Sequence, residues 1–110
     1  MKAIESLSLE EWQALARSKG TDRQYRQWVQ KQRSCISGNF SEYVNGEGRN
    51  PACHVRRGGF SGIAYKAPYS CVPMTHDEHA RQHYKGESAL RSKEWFDEQV
   101  IIYLRMWIES

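Results

Sequence analysis

Four hydroxyl residues placed where helices begin constrain this chain most: Ser8, Thr21, Thr75 and Ser92. Ser8-Leu9-Glu10-Glu11 fits a capping box, in which the serine hydroxyl and the glutamate satisfy backbone N–H groups left free at a helix start. Trp12, Leu15 and Ala16 then share one face, and Lys19-Gly20 reads as a stop. Thr21-Asp22-Arg23-Gln24 is a second cap, and the helix after it puts Tyr25, Trp28 and Val29 on one side. Thr75 caps a helix from His76 to about Lys85, ending before Gly86. Ser92 caps a last helix on which Phe96, Val100, Tyr103, Leu104 and Trp107 recur at helical spacing. That stripe is an apolar face turned to the core, and Trp12 and Trp28 are core residues as well.

Between the second and third helices the composition changes. Ser37-Gly38-Asn39 and Asn45-Gly46-Glu47-Gly48 are turn chemistry. Short strands are expected at Cys35-Ile36, from Ala52 to Val55 and from Tyr69 to Met74, with the loop Arg57-Gly58-Gly59-Phe60-Ser61-Gly62 before the last. The fold class is therefore α+β. The length of 110 residues suits one domain. It divides into a helical extension over 1–33, a core over 34–87 and a C-terminal helix over 88–110.

The net charge is +3 with a pI near 8.8, which is weak evidence for a nucleic-acid partner. Its distribution says more. No carboxylate falls between Glu47 and Asp77, whereas Arg49, Arg56, Arg57 and Lys66 do. An acid-free basic stretch suits a phosphate backbone, although a solvated loop has the same composition. No apolar run approaches the ~20 residues that span a bilayer, so no membrane partner is expected. The first residues lack the apolar core of a signal peptide, which points to the cytoplasm. Three cysteines, Cys35, Cys53 and Cys71, are an odd number and argue against a disulfide framework.

All four histidines lie between His54 and His83. His79 and His83 are four apart and share a helix face, where a histidine pair can hold one metal ion. His54, on a strand, can serve as a base. His76, three residues before His79, is a polar residue of the first helical turn. Arg56 is two residues past His54 and points to the same side of a strand; Arg57 points to the other.

With Ala52-Cys53-His54-Val55-Arg56-Arg57, the glycine loop with Lys66, and the run from Val72 through Thr75-His76-Asp77-Glu78-His79 and His83 to Glu87, the chain resembles the HNH (His-Me finger) endonucleases. Within them it is most similar to the phage and prophage branch that includes the recombination enhancement nuclease. The resemblance covers about 34–87. It implies a small ββα-metal core with flanking helices and a DNA endonuclease that hydrolyses phosphodiester bonds. His54 matches the general base. His79 and His83 match the ligands of one divalent metal ion (Zn, Mg, Mn or Ni). Arg56, Arg57 and Lys66 fall where phosphates are held. DNA is the implied partner, with phage recombination proteins beside it.

The chain departs from that family in three ways. Two Cys-x-x-Cys pairs of a structural zinc are reduced to Cys35 in one segment and to Thr75 and Glu78 in the other, so the flanking helices must supply stability instead. A third ligand position, before the base, is Cys53, which is either a metal thiolate or a buried apolar-like residue. The middle Asn has no counterpart, so a backbone carbonyl or a hydroxyl such as Ser61, Tyr69 or Ser70 must orient His54. Two other readings compete: an HNH-like DNA-binding module without turnover, and a structural zinc protein with Cys53, Cys71, His79 and His83 as its quartet. Trp107 and Ile108 suit a homodimer surface or a monomer core equally.

Overall fold

The computed structural model describes residues 7–55 and 68–110. Helix α1 (Leu9–Lys19) and helix α2 (Asp22–Val29) both begin with complete capping boxes, Ser8 with Glu11 and Thr21 with Gln24. A hairpin follows, β1 (Glu42–Val44) with β2 (Glu47–Arg49), and then strand β3 (Ala52–His54). Strand β4 (Cys71–Pro73) pairs antiparallel with β3 and leads into α3 (His76–Lys85) and α4 (Lys93–Glu109). The architecture is α+β, with two small antiparallel sheets of two strands each. Among the described residues, no helix is long and apolar enough to cross a membrane.

The core forms where α1, α2 and α4 meet β4. Trp12, Ala16, Tyr25, Val29, Phe96, Val100, Leu104 and Trp107 are buried there with Cys53, Cys71, Val72 and Met74. Tyr25 is its hub: the ring is 5.2 Å from Trp107 and 6.2 Å from Tyr69, and its hydroxyl donates to the Cys71 carbonyl at 2.7 Å. Burial removes apolar surface from water at about 25 cal/mol per Å2, so this aromatic cluster carries much of the stability. Trp107 lies in this core, which favours the monomer-core reading of the C-terminal helix. Leu15, expected on the buried face of α1, is 43% exposed, and Trp28 is half-buried against the core edge.

Two expectations about the middle of the chain need correction, and a third is sharpened. Cys35-Ile36 is a turn, because the Ser34 hydroxyl accepts the N–H groups of Ile36 and Ser37 at 3.0 and 3.1 Å and bends the backbone. The Asn45-Gly46 turn closes a hairpin; both residues have positive φ, 52° and 82°, as a tight hairpin turn demands. The last strand is shorter than Tyr69 to Met74. Tyr69 has φ 57°, which a strand cannot use. That left-handed backbone costs on the order of 1 kcal/mol. It is offset by ties to the α1–α2 junction, where the Tyr69 N–H donates to Asp22 at 2.7 Å and its hydroxyl to the Gly20 carbonyl at 2.6 Å.

Candidate functional site

The site is built on the start of α3. Thr75 caps the helix: its hydroxyl accepts the Glu78 N–H, and the Glu78 carboxylate accepts the Thr75 N–H at 2.8 Å. The same carboxylate oxygen accepts the Ser34 hydroxyl at 2.6 Å. The segments 35–38 and 75–78, where the resemblance would put the two zinc pairs, are thus joined by hydrogen bonds through Ser34 and Glu78. Glu78 is only 8% exposed. Burial pushes its carboxyl up, but the combined hydrogen bonds from Ser34, Thr75 and Ser37 outweigh this and hold it below the usual carboxylate range. Cys35 beside it is half-buried, and its thiol is pushed up to about 12 by burial first and the Glu78 charge second.

Two residues before β3, Asn50 locks the approach to that strand. Its side-chain oxygen accepts the Ser41 N–H and hydroxyl at 2.9 and 3.1 Å, and its amide donates to the carbonyls of Gln32 and Asn39 at 3.0 and 2.9 Å. Ser41 in turn accepts the His76 N–H at 2.8 Å, tying this network to the first turn of α3.

With its N-terminus fixed, α3 presents His79 and His83 side by side. Their Nε2 atoms are 3.0 Å apart and their rings 4.5 Å apart. In the neutral forms one Nε2–H donates to the other nitrogen; with both nitrogens unprotonated, each has a lone pair to offer a cation. Imidazole nitrogens that share an ion at about 2.1 Å stand about 3.0–3.4 Å apart, for cis-octahedral to tetrahedral angles. The 3.0 Å separation of the pair falls at the lower end of that range. Beside it lies a hollow of about 250 Å3 lined by Gln82, His83, Gly86, Glu87 and Lys93.

His54 ends β3 and is half-buried. Gln82 donates to the His54 carbonyl at 3.0 Å, so the strand carrying His54 is tied to α3 between the two helical histidines in sequence. Gln82 belongs to no motif in the sequence; only its place between His79 and His83 hints at it.

Other expected residues fall elsewhere. Cys53 is fully buried in the core, its thiol hydrogen-bonded to the Pro51 carbonyl and pushed well up, first by burial and then by Cys71. These contacts favour a buried thiol over a thiolate ligand. Cys53 and Cys71 sit on paired strands in the core, and among the described residues no three His, Cys, Asp or Glu side chains converge as a metal cluster. The zinc quartet of Cys53, Cys71, His79 and His83 is therefore not brought together. The Tyr69 hydroxyl, one candidate to orient His54, is engaged by Gly20 instead. The candidate phosphate contacts Arg56, Arg57 and Lys66, and Ser61, lie outside the described residues. All three cysteines are free thiols. Comparison with known protein families, curated protein sequences and solved structures returns no match.

Proposed function

We propose that this chain is a metal-dependent DNA endonuclease, with β3, β4 and α3 forming a ββα-metal core, acting in phage or prophage recombination or DNA processing. The observation that carries the reading is the His79–His83 pair, Nε2 to Nε2 at 3.0 Å, on the helix that follows the antiparallel strands bearing His54. His79 and His83 would hold the ion, which when bound supplies positive charge beside the scissile phosphate. His54 would take the proton of the attacking water, because imidazole titrates near neutral pH. Gln82 would position it by fixing the end of β3. Arg56, Arg57 and Lys66 would hold flanking phosphates, the arginines through their planar donor forks.

The test is cleavage of supercoiled, linear and single-stranded DNA with Mg, Mn, Ni or Zn. His54→Ala is expected to keep metal binding and lose cleavage; His83→Ala is expected to lose both. If the wild-type protein leaves every substrate intact with every metal, the enzyme reading fails. A second reading, a DNA-binding module with this fold and no turnover, is favoured by one observation: no third side-chain ligand joins His79 and His83 among the described residues. It expects salt-sensitive DNA binding without cleavage.

A further inference from the structure

A second and larger hollow lies around α3 from the histidine pair. Asp77 and Arg81 are two residues before His79 and His83, which places them about 200° round the helix. There the N-terminal half of α3 and the segment 33–43 enclose a cleft of about 580 Å3, lined among others by Arg33, Asn39, Phe40, Tyr43, Asp77 and Arg81. That volume suits one small molecule or one nucleotide.

The aromatic side of the cleft is built in advance. Phe40 lies so close against Gly48 that a Cβ there would collide with the ring. Tyr43 meets Phe40 edge-on at 5.7 Å and leaves 68% of its surface exposed. The Arg33 guanidinium is held 5.0 Å over the Phe40 ring and donates to the Gly38 carbonyl at 3.2 Å. Arg81 and Asp77, four apart on one helix, form no ion pair with each other and have no partner among the described residues. The cleft thus offers an exposed aromatic ring, two guanidinium groups on facing elements and an acceptor carboxylate. Those are the requirements for a base, its phosphate and its exocyclic amine.

We propose that this cleft takes an unpaired nucleotide of a single strand, with Tyr43 stacking on the base and Arg33 and Arg81 holding its phosphate. The proposal rests on the nucleic-acid reading above and narrows it to a substrate with a single-stranded part. A paired base is hidden within its stack and cannot enter such a cleft.

The test is fluorescence anisotropy of the full chain with a labelled single-stranded oligonucleotide, with chelator present so that metal plays no part. Tyr43→Ala is expected to weaken binding about tenfold, Tyr43→Trp to restore it, and an abasic oligonucleotide to bind wild type about as weakly as the intact strand binds the alanine variant. Arg81→Gln is expected to reduce the slope of log affinity against log salt by about 0.7. Both side chains are exposed, and circular dichroism checks that the fold is kept. Equal affinity for blunt duplex and single strand, or an abasic strand that binds as well as an intact one, overturns the proposal. So does a mononucleotide that displaces the strand at equal concentration, which would assign the cleft to a free nucleotide. Tyr43-dependent binding without cleavage sustains this cleft while the endonuclease reading fails; cleavage with an unchanged KM in Tyr43→Ala does the reverse.

Discussion

The helical frame and the Ser/Asn-rich middle are held together by different forces. In the frame, Tyr25, Val29, Phe96 and Leu104 are fully buried, and shape and apolar area do the holding. Between α2 and β3 the buried side chains are Ser34 and Asn50, joined by Glu78 from the first turn of α3; each is hydrogen-bonded, and no described buried side-chain polar atom lacks a partner. Apolar contact is tolerant of small shifts. A hydrogen bond fails beyond a few tenths of an ångström, so the polar region fixes the start of α3 more sharply. The candidate site stands on the polar region, while the stability of the fold rests on the frame.

Substitutions can break or sharpen that contrast. Phe96→Ala should cost about 3–5 kcal/mol, measured by denaturant unfolding. A cost below about 1 kcal/mol would show that the frame is not the seat of stability. Asn50→Ala should come next, at about 1–3 kcal/mol, because it strands the Gln32 carbonyl and takes one of two donors from the Asn39 carbonyl, which keeps the Ser34 N–H. Its effect should also reach metal binding, through Ser41 and the His76 N–H. A destabilised Asn50→Ala protein with unchanged metal affinity would break the link between the polar region and the site.

Glu78→Gln should cost about 1 kcal/mol at pH 7, since a neutral acceptor replaces a charged one. Its diagnostic is pH. The folded carboxyl lies below its unfolded value of about 4.3, so its contribution is present above that pH and is lost as pH falls through the folded value. Wild type should weaken along that acid limb, and the glutamine variant should lack this component of it. Smallest of all, His83→Ala should leave stability within about 0.5 kcal/mol, because the side chain is exposed, while nickel or zinc binding measured by calorimetry is lost. A large loss of stability there would mean that the pair is structural.

Much of the frame was legible because its signals are local. A capping box spans four residues, and an apolar stripe repeats within two helical turns, so Ser8, Thr21, Thr75 and Ser92 each begin a helix as read. The misreadings fell where a distant partner decides. Cys35-Ile36 became a turn around the Ser34 hydroxyl, which is itself held by Glu78 far along the chain, and Tyr69 left the strand for contacts with the distant Asp22 and Gly20. The hairpin at Asn45-Gly46 was half-legible: the turn was read, but the short exposed strands beside it carry no apolar alternation.

For the site, spacing alone put His79 and His83 on one helix face, because a helix repeats every 3.6 residues whatever surrounds it. Sequence also placed His54 on the strand before them. It could not decide between Cys53 as ligand and Cys53 as core, since a thiol serves both and only its surroundings choose. Nor could it find Gln82, Asn50 or the Arg33–Tyr43–Arg81 cleft, whose members come from separate elements. Periodicity is a property of the chain, and it set the helices and the histidine pair. Burial and the meeting of side chains distant in sequence are properties of the packed molecule, and they decided which polar groups hold the site and which cysteines are removed from it.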